Sequence, residues 1–140
     1  MISLKVMLTS QRVDALKRAG VPYANPIEIE GLIDTGADGC VLDRHTIAAL
    51  GLELRGRTAI HTPSTGTAYE SRGVFDACFV LGESTSDALV LNLPVIESDL
   101  ASEGFCALIG RNVLSQCLFT YDGPRNHFSL AWGRDRKSRR

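Results

Sequence analysis

Leu32-Ile33-Asp34-Thr35-Gly36-Ala37-Asp38 is the stretch on which the reading of this chain turns. Two apolar residues, the end of a strand, run into a carboxylate, a hydroxyl and a glycine. Just upstream, Ile27-Glu28-Ile29-Glu30 alternates strictly and begins that strand. Gly36 has no Cβ, so its backbone can come close enough for its N–H to donate to a carboxylate. Thr35 can brace the loop through its hydroxyl. One such loop offers one carboxylate. Peptide hydrolysis by this route needs two, one as base and one as acid, sharing a proton because adjacent like charges do not both ionise.

Outward from this loop the pattern is of short strands. Val41-Leu42 is extended, and Asp43 can cap a short helix over 44–50 that Gly51 closes. Segments 57–62 and 67–81 form a hairpin around Pro63-Ser64-Thr65-Gly66. Segment 88–95, with Pro94 near its end, and the apolar 105–109 are further strands. Gly110-Arg111-Asn112 then leads into a helical turn over 113–116. Segments 118–121 and 127–132 flank Asp122-Gly123-Pro124-Arg125-Asn126 as a last hairpin. Toward the N-terminus, 2–8 suits a strand, and 10–20 suits a short helix or turn, with a capping Ser10, a terminal Gly20 and Val13, Leu16 and Ala19 three apart. Pro22 and Pro26 mark a loop. The class is mostly β with one or two short helices.

Composition limits what such a fold is for. At 140 residues the chain has the length of one domain and needs no disulfides to build a core. Its longest apolar runs, 77–81 and 105–109, are too short to span a membrane. Residues 134–140 are basic and lack apolar groups, so they read as a disordered tail behind a single domain at 1–133. Without the tail's five basic groups and one acid, the body carries ten basic and fifteen acidic side chains. That argues against nucleic-acid binding by the fold. The cysteines at 40, 78, 106 and 117 have neither zinc-site spacing nor an export signal beside them. They read as reduced, mostly buried thiols in a cytoplasmic protein. No metal or organic cofactor is expected. The histidines at 45, 61 and 127 are scattered and read as structural or surface groups.

Asp-Thr-Gly-Ala after two apolar residues resembles the active-site motif of aspartic proteases, with Ala after Gly as in the retroviral branch, the retropepsins. Ala107-Leu108-Ile109-Gly110-Arg111-Asn112-Val113-Leu114 resembles the second retropepsin segment, and the likeness extends over residues 27–132. It implies a small closed β-barrel-like acid-protease fold acting as a homodimer, because one chain brings one Asp34 and the dyad needs two. It implies that Asp34 is catalytic, that Thr35 and Gly36 support the loop, and that Gly36, Ala37 and Asp38 bind substrate with Thr65 and Gly66 of the flap hairpin. It also implies a partly buried structural ion pair between Asp38 and Arg111. The flap tip departs from the glycine-rich retroviral pattern.

The implied activity is that of an endopeptidase on protein or peptide substrates, with no membrane or nucleic-acid partner. The competing expectation is a non-catalytic dimeric module that binds peptides by strand addition on the same fold. An aspartyl-phosphate enzyme is disfavoured, since such enzymes resemble Asp-Lys-Thr-Gly and the Lys is missing here. The alternation of Phe128, Leu130 and Trp132 in the last strand points to packing or a subunit interface.

Overall fold

A computed structural model describes residues 1–60, 69–84 and 86–133. The flap tip with Thr65 and Gly66, and the basic tail at 134–140, lie outside the described residues. The strands are β1 (Ile2–Met7), β2 (Ile27–Ile33), β3 (Cys40–Asp43), β4 (Glu53–Ile60), β5 (Glu70–Leu81), β6 (Leu89–Ser98), β7 (Ala107–Ile109), β8 (Leu118–Asp122) and β9 (His127–Ala131). The helices are α1 (Ser10–Arg18), α2 (Arg44–Leu50) and α3 (Arg111–Leu114), with one 3-10 turn at Ala101–Glu103. The fold is therefore mostly β, as the sequence implies, but with three short helices rather than one or two. All three segments carry helical signals. Thr9, not Ser10, caps α1, its hydroxyl accepting the Arg12 N–H at 3.2 Å.

Seven strands form one sheet in the order β1-β2-β7-β3-β6-β5-β4, and a further β1–β5 pairing closes the first six into a barrel. β1 lies antiparallel to both neighbours, with Leu4 beside Ile29 and Val6 beside Phe79. β7 inserts between β2 and β3, parallel to the first and antiparallel to the second. Sequence neighbours β2 and β3 are thus held apart by a strand that arrives some seventy residues later. That insertion brings the Asp34 loop and the Gly110 turn to one end of the barrel. Gly31 lets it happen: a Cβ there would meet the Ile109 and Leu4 side chains at 3.0 and 3.1 Å.

The inner face is filled by alternate residues of each strand, as a half-buried sheet requires. Val6, Leu42, Phe79, Val95, Ala107 and Ile109 are fully enclosed there, and Val113 of α3 plugs the end near the Asp34 loop. β4 lies outside the barrel and, among the described residues, pairs only with β5. Its pairing continues from Arg57–Gly73 to Ile60–Glu70, past the point where β6 leaves β5 at Val74. This overhang is the base of the expected flap. β8 and β9 form a separate two-stranded hairpin against the barrel, with the Phe119 and Phe128 rings 5.9 Å apart.

Candidate active site

Asp34 follows the last residue of β2, and β7 fixes it there. Its N–H donates to the Ile109 carbonyl at 3.0 Å, so the parallel β2–β7 ladder runs on into the loop. Its own carbonyl accepts the Ala37 N–H at 3.2 Å and closes a tight turn. Within that turn the Gly36 N–H donates to Asp34 Oδ1 at 3.0 Å. The carboxylate is half-buried, whereas Thr35 and Gly36 are exposed. A carboxyl group is thereby held at the loop tip, reachable from solvent and oriented by a backbone donor.

The second segment meets this loop directly. The Arg111 N–H donates to the Ala37 carbonyl at 2.8 Å, and the Asn112 N–H to the Asp38 carbonyl at 3.2 Å. The Arg111 guanidinium reaches back, with Nη1 on the Thr35 carbonyl at 3.3 Å and Nη2 paired with Asp38 Oδ1. Gly110 is required by this approach: a Cβ on it would sit 2.2 Å from the Gly39 carbonyl oxygen and 2.9 Å from that of Ala37. Asp34, Thr35, Gly36, Ala37, Asp38 and Arg111 are therefore brought together. The Asp38–Arg111 pair forms, but it is not partly buried as expected. The Asp38 side chain is 93% exposed and that of Arg111 55%, because α3 lies at the rim of the barrel and its first residue faces outward.

Strand register adds residues that the sequence reading did not single out. Leu32 stands beside Leu108, Leu108 beside Val41, Val41 beside Ile96, and Ile96 beside Val74. These five side chains form a continuous apolar row on the face opposite the core, beginning two residues before Asp34. All are accessible to some degree, Leu32 most of all at 39%. The sequence carried half of this signal: β2, β3 and β7 have apolar residues at both parities, as strands covered on both faces do.

Two buried polar groups stiffen the surroundings. Cys40, at the start of β3, lies beneath the site with its thiol donating to Asn112 Oδ1 at 3.0 Å. Asp43, at its end, accepts the Leu100 and Ala101 N–H groups on Oδ1 at 2.8 and 3.0 Å and caps α2 through the His45 N–H on Oδ2. Cys40 and Cys78 are fully buried, Cys106 and Cys117 only half. His45 and His127 are exposed, and His61 lies outside the described residues. Among the described residues no three His, Cys, Asp or Glu side chains gather as a metal site would require. No helix among them is long and apolar enough to cross a membrane.

No protein-family model matches the chain, and no curated protein matches it. Among solved structures the chain is similar to the retroviral protease-like domain of Ddi1 from Leishmania major. The two are 13% identical, the match covers 93% of this chain and 87% of that one, and the TM-score is 0.46.

Proposed function

We propose that this chain is an aspartic endopeptidase of retropepsin type, active as a homodimer in which each copy contributes one Asp34. The observation that carries the reading is the meeting of two segments 76 residues apart in sequence: the 34–38 loop and the 110–112 turn exchange backbone and guanidinium hydrogen bonds around one accessible carboxylate. Such a loop holds Asp34 in place, but its other carboxylate, Asp38, is paired with Arg111, so the second catalytic carboxylate comes from a copy related by a twofold axis beside Asp34. In the dimer one carboxylate takes a proton from a water that attacks the scissile carbonyl. The other, protonated, gives its proton to the carbonyl oxygen; as the C–N bond breaks, the proton taken from the water passes to the leaving amine and a hydroxyl of the diol returns its proton to the second carboxylate. Thr35 of each copy braces the partner's loop. Gly36, Ala37 and Asp38 contact the substrate main chain, with Thr65 and Gly66 of the flap above it. The apolar row from Leu32 to Val74 supports a preference for apolar substrate side chains next to the cut bond.

The test is cleavage of a denatured peptide mixture, read by mass spectrometry, for wild type and Asp34→Asn. Asn keeps the shape and removes the titratable group, so cleavage should fall by about 10²–10⁴-fold while the variant stays folded. Cleavage by the variant at the wild-type rate overturns the assignment of Asp34. A wild-type dimer that retains peptides but cuts none would favour the binding module instead.

A further inference from the structure

We infer that Cys40 is a positioning residue for the active site, its thiol acting as the two-ended hydrogen-bond bridge that seats the Gly110–Asn112 turn against the Asp34 loop. The inference rests on the reading of Asp34 as catalytic and adds a residue to it. The Cys40 side chain is 1% exposed. Its Sγ donates to Asn112 Oδ1 at 3.0 Å and accepts the buried Gly110 N–H at 3.4 Å. Both partners belong to the turn that holds the loop. Gly110 permits the contact with Gly39, and Asn112 sends its own N–H to the Asp38 carbonyl. Between them, Arg111 holds the Thr35 carbonyl. The thiol is thus one hydrogen bond from the turn, and the turn is one from the residue next to Asp34.

The bridge needs the neutral thiol, since only S–H can donate to the amide oxygen while a sulfur lone pair receives the Gly110 N–H. Burial pushes the Cys40 thiol up to about 11, the Gly110 N–H working more weakly the other way, so the proton stays on through the neutral range. An alanine leaves the Gly110 N–H and the Asn112 oxygen without this partner in a water-poor site. A valine fills the space without restoring either bond. A serine can make both. Reacting groups tolerate small displacements poorly, so a loosened turn should cost turnover more than substrate binding.

The experiment compares Cys40→Ala, Cys40→Val, Cys40→Ser and Asn112→Ala with wild type in two readouts. In peptide cleavage, Ala and Val at position 40 should lower kcat about tenfold with KM changed less than about twofold, and Ser should recover most of the loss. In amide hydrogen exchange, the Gly110 N–H should exchange faster in Cys40→Ala and Cys40→Val than in wild type or Cys40→Ser. Asn112→Ala removes the other end of the bridge and stands in for Cys40→Val if the latter fails to fold, with the same loss of kcat expected. Unchanged kcat in Ala and Val, or a Ser variant as slow as Ala, overturns the inference while leaving Asp34 in its role. A wild-type protein that cleaves nothing removes the reading of Asp34 instead. The exchange readout then still decides the bridge, and equal Gly110 exchange in all variants overturns it.

Discussion

Asp43 is the one wholly buried charged side chain among the described residues. Burial alone would push its carboxyl up, but the Leu100, Ala101 and His45 N–H groups and the nearby His45 ring outweigh it and hold it below the ordinary carboxylate range. The sign follows: a carboxyl that titrates lower folded than unfolded adds stability above its unfolded value near pH 4, and that stability is lost as pH falls through the folded value. Asp43→Asn should therefore be less stable than wild type at pH 7, by about 1–3 kcal/mol. The gap should narrow below about pH 4, as thermal melts across pH will show. Asp38 and Arg111 make the opposite case. Their pair is exposed and water-screened, so a double-mutant cycle on unfolding should give a coupling of about 0.2–1 kcal/mol. Breaking a deeply buried pair would have cost several. The resemblance implied that the two side chains meet, but not how deep. Burial depends on which way the first turn of α3 faces, and that is fixed only when β7 enters between β2 and β3. Cys40 was legible only as a small apolar group, because its partners Gly110 and Asn112 lie seventy residues away.

At the scale of elements, sequence and structure agree where local chemistry is strong. Helix α2 runs from the Asp43 cap to Gly51, which is left-handed at φ 66°, as the capping signals require. They diverge where tertiary pairing decides. β4 begins at Glu53, earlier than alternation suggests, because a strand outside the barrel needs no buried face and most of it is exposed. β6 runs through Pro94 to Ser98. Pro94 pairs with Asp76 of β5, and β3 joins the other side only from Val95, so the missing N–H falls where that edge is free. The β8–β9 hairpin forms where the sequence places it, and Trp132 packs within its own chain. The last strand is paired within its own chain, with Phe128 and Leu130 turned inward and His127, Ser129 and Ala131 exposed. Trp132, just beyond it, donates Nε1–H to the Asp87 carbonyl at 2.7 Å and lies over Gly82, where a Cβ would come within 3.1 Å of the indole. The indole thus pins the hairpin to the turn between β5 and β6. Trp132→Phe keeps most of the packing and loses the hydrogen bond, so unfolding should become easier by about 1 kcal/mol, as denaturant titration will show. A change well below that would mean the indole N–H is satisfied equally well by water.

For the whole molecule, the proposed chemistry belongs to no single copy. The hairpin of β8 and β9 pairs with nothing else among the described residues, and Leu118 and Tyr121 on it are 58% and 64% exposed. These open edges and apolar side chains, with the Thr35 loop, are the surface on which the proposed dimer would form, and stable dimers bury on the order of 2,000 Å². If the dyad is shared, specific activity should fall as the protein is diluted through its dimer dissociation constant. Sedimentation velocity beside a cleavage assay measures both, and a monomer with concentration-independent activity would sink the shared site. The closure of the barrel by β1 reaches into how the chain comes to be folded at all. Lys5 pairs with Val80, 75 residues further along. A nascent chain leaving the ribosome therefore carries β1 unclosed until β5 has emerged, and the ring shuts only after a long loop has been searched. Non-local closure of this kind places refolding in the slow range of β proteins, about milliseconds to seconds. Through that interval β1 and β5 present bare edges to any neighbouring chain. Keeping nascent copies apart until β1 has docked is thus a condition for the proposed later meeting of two finished ones.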